Sequence, residues 1–339
     1  MTTQPPMPET IENLGAAVFP SFAMLAGMQL ELFTLLSNGP KDVGELAQIL
    51  DVGSTKLEHL LYSLVDSGLL IVEGQRFSNT AEADHYLVRG KATYMGERHH
   101  QFSDQLNSVL RTSESIRTGA AKAKLNFHEM THEQEDTVYR GLHPTTLATG
   151  RILPAGYDFS AYRTLLDLGG GSGGLAIGVT EECPHIHATV GDLPEVLAIA
   201  QRVIAETGAN DRVSIMAADV LSGSLNGSFD VVVMCNFIQG FSQDEARRAI
   251  KNVIKAVEPG GKLYIVGRVL DDDHLSPASA LNSNLFFLNI YDGGQAHTER
   301  QHLEWSTDAG FESIKRDVMP DGRSVIVARR PLYDVIKRG

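Results

Sequence analysis

The spacing of hydrophobic residues changes along the chain. In the first hundred residues, apolar positions such as Leu57, Leu60, Leu61 and Leu64 recur every three or four places, which indicates amphipathic helices. From about residue 160, short apolar runs alternate with amphipathic stretches, which predicts strands and helices in turn. The pattern therefore predicts a helical N-terminal domain followed by a doubly wound α/β domain.

Three segments follow from this change of pattern. We assign 1–97 to a small helical domain, 98–155 to a polar helical linker, and 156–339 to the α/β domain. A chain of 339 residues is long enough for about two domains. The histidines of the linker show no spacing typical of a metal site, so we predict no metal.

The N-terminal domain contains a helix–helix–hairpin pattern. A helix over 43–50 precedes a second helix with Ser54 as its N-cap, and a hairpin follows over 69–80. This order is typical of a winged helix, which serves either DNA binding or dimerisation. The helix that would read DNA offers Lys56 among acidic neighbours, so we favour dimerisation.

The apolar runs of the α/β domain predict its strands. We expect strands over 164–167, 186–190, 212–216, 229–234 and 262–267. A helix over 242–257 should begin at Ser242 as N-cap, with acids in its first turn, and end at Gly260–Gly261.

A glycine-rich loop follows the first of these strands. Gly169, Gly171 and Gly174 satisfy the G-x-G-x-x-G pattern, so a dinucleotide site must be considered. Asp167 stands just before them, and its carboxylate would repel a pyrophosphate. The same carboxylate suits the ammonium and sulfonium groups of S-adenosylmethionine, which we therefore predict as the cofactor.

Further polar residues end the next strands. In a parallel sheet these ends meet at one edge, where ligands bind. Asp192 has the spacing expected for a carboxylate that accepts from ribose hydroxyls, and Asp219 can accept from the adenine amino group. The predicted cofactor-binding residues are Asp167, Gly169, Gly171, Ser172, Gly173, Asp192, Leu193, Asp219, Val220 and Asn236.

The amino-acid composition limits the kinds of partner and compartment that we expect for this protein. With 29 basic and 42 acidic residues the net charge is −13, which argues against nucleic acid and against an anionic membrane surface. Two cysteines cannot form a disulfide framework, so a reducing cytoplasm is expected. The sequence shows no evident signal peptide, and no apolar run approaches the ~20 residues of a membrane span.

Nearly the whole chain resembles a family of small-molecule methyltransferases, which includes caffeate-type and polyketide O-methyltransferases. These enzymes join a winged-helix dimerisation domain to an S-adenosylmethionine domain. The resemblance rests on LDLGGGSG (166–173), GDLPEV (191–196), ADV (218–220), EPGGK (258–262) and the paired glycines, TE and AGF of 293–311. It implies a Rossmann-like sheet of seven strands, the last antiparallel over 323–329. It also implies a homodimer formed through the N-terminal domain.

The chain departs from this family at the catalytic position. The family carries a histidine after the fourth strand, which takes the phenol proton, and a glutamate that flanks it. Gln239 and Ala296 stand at those positions here. Glutamine cannot act as a base at neutral pH, so we expect Gln239 to position the acceptor and expect no general base there.

The absence of a general base at position 239 affects which chemical group can accept the methyl group. A phenol with a pKa of ~10 is only about one part in a thousand ionised at pH 7, a deficit of roughly 4 kcal/mol. A thioether has no proton to lose. Within the family, the chain resembles the bacterial S-methyltransferases of dimethylsulfoniopropionate synthesis, which implies 4-methylthio-2-hydroxybutyrate as acceptor. Two alternatives stay open: an O- or C-methyltransferase using His143 or His297 as base, and a non-catalytic sensor of S-adenosylmethionine.

An acceptor of this kind carries a carboxylate, a hydroxyl and an apolar sulfur. It requires hydrogen-bond donors, a cation and an apolar wall. The segments that line the family's pocket supply candidates for each. The predicted acceptor residues are Tyr139, His143, Gln239, Phe287, Tyr291 and Arg323, with Phe286 as a further wall candidate.

Overall fold

A computed structural model describes residues 6–91, 93–124, 131–223, 225–319 and 322–332. The chain divides into two compact units, Met1–Ser103 and Asp104–Gly339. Each unit is described separately below.

Helices α1 to α6 surround a small hairpin in the first unit. Its elements are α1 (Glu9–Ala16), α2 (Phe19–Gln29), α3 (Leu32–Leu36), α4 (Val43–Leu50), α5 (Ser54–Asp66), β1 (Leu70–Glu73), β2 (Arg76–Asn79) and α6 (Ala81–Leu87). A 3-10 turn, Gly96–Arg98, leads into α7 (His99–Val109), which crosses the division.

The first unit confirms the predicted helix–helix–hairpin order, with one correction at a helix start. Gly53, in extended conformation, occupies the N-cap of α5, so Ser54 is the first helical residue rather than the cap. The cap of α4 is the side chain of Asp42, which accepts from the Glu45 backbone in a capping box. Leu61, buried completely, lies in the core that α5 shares with α2 and the hairpin.

One helical stretch in the described residues, Glu9–Gln29, is long and apolar enough to cross a membrane by length and composition alone. The sequence predicts no apolar run of that length, since the polar residues Glu9, Glu12 and Asn13 interrupt this stretch. Apolar side chains along α1 and α2 are exposed, among them Ile11, Leu14 and Phe19 at 72%, 69% and 68%. These side chains form an exposed apolar face along α1 and the start of α2.

The start of α7 brings together a histidine pair that the linker spacing did not mark. Ligand atoms of Glu97, His99 and His100 lie within 4.8 Å of one another. His99 Nδ1 lies 2.9 Å from the Gly96 carbonyl oxygen, and Glu97 forms an ion pair with Arg89 at 3.1 Å. These local contacts account for the geometry of the cluster.

The second unit is built on a mostly parallel sheet. Its strands are β3 (Thr164–Leu168), β4 (His187–Asp192), β5 (Val213–Ala217), β6 (Phe229–Cys235), β7 (Val257–Gly267), β8 (Glu312–Val318) and β9 (Ser324–Arg329). Its helices are α8 (Thr112–Thr118), α9 (His132–Gly156), α10 (Gly174–Glu182), α11 (Pro194–Glu206), α12 (Gln243–Val253), α13 (Ala278–Ile290) and α14 (Glu299–Ala309).

Seven strands lie in the order β5-β4-β3-β6-β7-β9-β8. Strand β9 runs antiparallel to both of its neighbours, β7 and β8. This confirms the predicted doubly wound domain and its antiparallel last strand. The order reverses between β3 and β6, so the crevice for a ligand opens at the carboxyl ends of these strands.

The helix before β7 is shorter than predicted. Ser242 caps α12 and forms a capping box with Glu245, as expected. The helix ends at Val253, a 3-10 turn follows, and β7 begins at Val257. Gly260 and its neighbour therefore lie inside the strand, where the pairing of β7 with β6 changes register.

Helix α9 crosses α10 at backbone contact distance. A Cβ on Gly150 would lie 2.3 Å from the Leu175 carbonyl oxygen, and one on Gly178 would lie 2.4 Å from that of Leu147. A Cβ on Gly174 would meet the Thr146 hydroxyl at 2.3 Å. Three glycines thus allow the two helix backbones to touch, which places α9 against the loop that precedes α10.

We expect Gly150→Ala to destabilise this crossing. The new methyl group meets rigid backbone, and overpacking of this kind typically costs about 1–3 kcal/mol. Gly156→Ala is the matched control, because Gly156 lies in the same helix with nothing within 4 Å of a Cβ. Denaturant unfolding should show a lower midpoint for the first variant and an unchanged or slightly higher one for the second. Equal midpoints for the two variants would contradict the crossing.

Candidate functional site

The glycine loop at the end of β3 has the conformation that its composition predicts. Gly169, Gly171 and Gly173 adopt φ of 73°, 54° and 78°, in the left-handed region that favours glycine. The Gly171 amide donates to Asp192 Oδ2 at 2.9 Å. The Leu193 amide donates to the other oxygen of the same carboxylate at 2.8 Å. The loop and the end of β4 are thus joined through one carboxylate.

Asp167 lies beneath this loop. Its side chain is 1% exposed, and its Oδ2 accepts from the Ala176 amide at the start of α10 at 3.2 Å. Burial, with a smaller contribution from the charge of Asp192, raises the pKa of the Asp167 carboxyl to about 7. A positively charged ligand at this carboxyl would restore its ionised form.

The remaining cofactor candidates lie at the same edge of the sheet. Asp219 follows β5 and its Oδ1 accepts from the Leu221 amide at 2.9 Å. Val220 beside it is buried in the core. Asn236 follows β6 with a φ of 50°, a left-handed conformation that asparagine tolerates better than most residues. The structure therefore brings the predicted cofactor residues to one crevice.

An aromatic residue that sequence reasoning missed packs on the loop. The Phe237 ring occupies the space that a side chain on Gly169 would fill, with ring atoms 2.3–2.7 Å from an ideal Cβ. Phe237 also makes an edge-to-face contact with Phe241, with ring centroids 5.0 Å apart. Its position just after the end of β6 could have marked Phe237 as a residue near the site. Its contact with Gly169 depends on the tertiary fold and could not be predicted from the sequence.

Residues of this crevice fit S-adenosylmethionine. The carboxyls of Asp167, Asp192 and Asp219 lie at or just beyond the carboxyl ends of three adjacent strands, and they match the cationic and hydroxyl-rich parts of that molecule. The left-handed glycines give the loop its sharp turn, and the rings of Phe237 and Tyr139 occupy the space beside Gly169 and Gly171. A pyrophosphate would face the Asp167 carboxyl at the same point, so a dinucleotide fits the site less well.

Two predicted acceptor residues reach this crevice from α9. The Tyr139 ring lies 3.0 Å from the position of a Cβ on Gly171. His143, one turn later, has Nδ1 at 3.0 Å from Ser172 Oγ. Burial is the main cause that lowers the pKa of His143, so its imidazole is neutral at pH 7. Both side chains therefore lie beside the cofactor loop.

Gln239 belongs to a 3-10 turn, Ile238–Gly240, that follows β6. Gln239 is 6% exposed. Its backbone carbonyl oxygen lies 2.5 Å from the position that a Cβ on Gly294 would occupy. The Tyr291 ring lies 3.7 Å from a Cβ position on Gly240. The turn is therefore enclosed by the segment that follows α13.

The predicted apolar wall forms a cluster of its own. Phe287 is buried and packs with Tyr291, with ring centroids 5.9 Å apart. Ala296 is buried in the same cluster, and Ala123 and Phe286 pack against it. The structure thus brings the wall residues together near the Gln239 turn.

Arg323 is buried at the start of β9. Its guanidinium donates to the Thr149 hydroxyl on α9, and Thr149 donates in turn to the Thr145 carbonyl. Thr149 lies six residues after His143, or roughly 9 Å along the helix axis. The structure therefore places Arg323 against α9, in a position that sequence alone did not indicate.

His297, the other candidate for a substitute base, is buried and held through one ring nitrogen. It is 1% exposed, and its Nε2–H donates to the Phe241 carbonyl at 3.2 Å. Burial lowers its pKa to about 4. Its Nδ1 is buried and has no hydrogen-bond partner in the described part of the chain, so the hypothesis that His297 accepts the acceptor's proton stays a prediction.

Comparison with known proteins adds to this geometry. Residues 114–312 match the family model of the O-methyltransferase domain. A 3-hydroxy-5-methyl-1-naphthoate 3-O-methyltransferase of Streptomyces sahachiroi is 30% identical over 330 residues, 94% of each chain. A tetracenomycin polyketide synthesis 8-O-methyl transferase of Streptomyces glaucescens is 28% identical over 96% of this chain and 97% of its own.

A solved structure agrees with the fold. Human N-acetylserotonin methyltransferase, in complex with SAM, superposes with a TM-score of 0.85 and 20% identity. The match covers 98% of this chain and 99% of that one. At this identity the similarity supports the architecture of the whole chain.

We expect Asp192→Ala to abolish measurable cofactor binding. The carboxylate orders Gly171 and Leu193 and is the predicted partner of the ribose hydroxyls. Losing two or more charge-assisted hydrogen bonds of about 1.5–3 kcal/mol each predicts a fall in affinity of at least about 100-fold. Calorimetric titration with S-adenosylmethionine measures it, with Asp211→Asn, an exposed acid, as control. Binding within tenfold of wild type would refute the assignment.

Cofactor affinity should fall as the pH falls below about 7. In the free protein the Asp167 carboxyl has a pKa of about 7, so it is largely protonated at pH 6. Binding of a cation favours the ionised form, so a proton must then be released. Affinity should drop by up to about tenfold per pH unit below 7 and level off above 8. Titrations at pH 6, 7 and 8 test this, with Asp167→Asn expected to flatten the profile. A constant affinity in wild type would contradict it.

Proposed function

The chain belongs to the O-methyltransferase domain family and is an S-adenosylmethionine-dependent methyltransferase, and we propose that it methylates a small molecule without a general base at Gln239. S-Adenosylmethionine supplies an electrophilic methyl group. The residues of this chain bind the cofactor, orient the acceptor and exclude water. The family assignment disfavours the hypothesis of a non-catalytic sensor.

The observation that carries the proposal is the chemistry of the Gln239 turn. Gln239 is buried, and Ala296 stands where the family has an acid. His297, next to Ala296, donates its Nε2–H to the Phe241 carbonyl. An acceptor that reacts at this turn therefore finds no base at position 239 or 296.

A thioether acid such as 4-methylthio-2-hydroxybutyrate meets this condition. Its sulfur lone pair forms the new S–C bond while the S–CH3 bond of the cofactor breaks. One sulfonium disappears as another forms, so charge is conserved and no proton moves. Alignment alone can contribute on the order of 7–11 kcal/mol. Tyr139, His143 and Arg323 are the proposed polar contacts, and Phe287 and Tyr291 the proposed apolar wall.

The second candidate is an O- or C-methyltransferase of an aromatic or polyketide-type metabolite. The names of the two curated relatives support this candidate better than the thioether. It needs a base elsewhere in the site. His143 is the residue to examine, because it is neutral at pH 7 and lies at hydrogen-bond distance from Ser172 in the cofactor loop.

We also propose that the chain forms a homodimer through its N-terminal unit. The exposed apolar face of α1 and α2 supports this, since Ile11, Leu14 and Phe19 are each more than half exposed. Burial of such a face is worth about 25 cal/mol per Å² of apolar surface.

An acceptor panel separates the two candidates. The protein is incubated with S-adenosylmethionine and either 4-methylthio-2-hydroxybutyrate or hydroxynaphthoates and catechols, and products are identified by mass spectrometry. We expect the dimethylsulfonio product from the thioether acid. A methylated oxygen or carbon with no sulfonium would replace the first candidate by the second. Asp192→Ala serves as the control without bound cofactor.

A further inference from the structure

His297 lies directly beneath the turn that carries Gln239, and the reaction proposed above does not use it as a base. Its ring is 1% exposed, and Nε2 lies 3.2 Å from the Phe241 carbonyl oxygen. The donor in this bond must be Nε2–H, because a carbonyl can only accept. The tautomer is therefore fixed by the backbone of the turn.

The backbone of His297 is tied to a second loop. Its carbonyl accepts from the Leu270 amide at 3.0 Å, just beyond the carboxyl end of β7. The next residue, Thr298, caps α14 through a capping box with Gln301. His297 is thus anchored by a strand end on one side and a helix start on the other.

Two glycines shortly before His297 in the chain also pack against the turn that carries Gln239. A Cβ on Gly294 would lie 2.5 Å from the Gln239 carbonyl oxygen, and one on Gly293 would lie 2.8 Å from Ser242 Cβ. Segment 293–297 therefore lies against residues 239–242 at three points, of which the His297 hydrogen bond is the polar one.

Contacts continue from this turn to the cofactor loop. Phe241, whose carbonyl His297 holds, packs edge-to-face on Phe237. The Phe237 ring in turn lies on Gly169. A shift of the Phe241 backbone would therefore move the acceptor side and the cofactor side relative to each other.

From these contacts we propose that His297 is a positioning residue, which fixes the Gln239 turn and the Phe237 ring against the cofactor loop through its Nε2–H. It acts through the Phe241 carbonyl and touches neither the acceptor nor the cofactor. The kinetic part of this inference rests on the proposed methyl transfer, whereas the structural part does not.

His302 provides a matched control. It is completely buried in the same aromatic cluster, with its ring centroid 6.0 Å from that of His297 and 5.8 Å from that of Trp305. Its Nδ1–H donates to the Thr298 carbonyl within its own helix. Replacing either histidine by leucine removes a buried imidazole, but only one replacement removes a bond to the turn.

Amide hydrogen exchange of the full-length protein tests the structural part. In His297→Leu, the amides of 237–242 should exchange at least about tenfold faster than in wild type, because the turn loses its polar anchor. His302→Leu should leave them unchanged. His297→Gln keeps a side-chain N–H at similar reach and should restore slow exchange. If the leucine variant does not fold, His297→Phe, which keeps the aromatic packing, gives the same comparison.

Kinetics with the acceptor identified by the panel test the functional part. Misplacement near 1 Å can lower turnover about 100-fold, so kcat should fall between about 10- and 100-fold in His297→Leu. The Kd for S-adenosylmethionine should stay within about threefold, since its carboxylate partners are untouched. His297→Gln should recover most of kcat.

Several results would overturn the inference. These are wild-type exchange of 237–242 in His297→Leu, equal acceleration in His302→Leu, or a glutamine variant as impaired as the leucine variant. If the panel yields no methylated product, the proposed acceptors fail, and hydrogen exchange alone still decides whether His297 holds the turn.

Discussion

The close crossing of α9 and α10 is the constraint on which the candidate site depends. The two backbones touch at Gly150 and Gly178, so α9 lies directly against α10, the helix that follows the glycine loop. That contact delivers Tyr139 and His143 to the glycine loop, although they precede it by about thirty residues. Close packing between small residues thus brings α9 to the glycine loop, and the Arg151–Glu181 ion pair, at 2.7 Å, adds a charged contact between α9 and α10.

The two sides differ in their electrostatics. The cofactor side holds carboxyls at the ends of β3, β4 and β5, and Asp167 among them is buried deeply enough to shift its proton equilibrium. The acceptor side presents a carboxamide at Gln239 and a neutral imidazole at His143. A positive charge is thus favoured at the cofactor, and the acceptor side supplies orientation in a half-buried, weakly charged setting.

Sequence patterns predicted the architecture well because they follow local rules. Apolar runs gave the parallel strands, the glycine pattern gave the loop, and the acids at strand ends gave the cofactor side. The failures were tertiary. Gly53, and not Ser54, is the N-cap of α5. Gly260, expected at the end of a helix, lies inside the strand β7. Contacts across the fold, such as Arg323 with Thr149, leave no periodic trace in sequence.

The contacts of His297 were hidden for the same reason. His297 lies three residues after the paired glycines, and this position does not reveal where its ring points. Only the fold shows that the ring lies beneath the turn and bonds to backbone. The sequence patterns missed Phe237 because its contact is with a distant part of the chain, the glycine loop at Gly169.

The glycine at 294 has an evolutionary consequence. Its missing side chain leaves room for the Gln239 carbonyl, so a substitution at 294 would displace the residue at 239 whatever that residue is. Because the contact is with backbone, the constraint on position 294 holds for every side chain at 239, 55 positions away. A lineage that exchanges one acceptor for another could therefore change the side chain at 239 freely, provided that the glycine beneath its carbonyl is inherited unchanged.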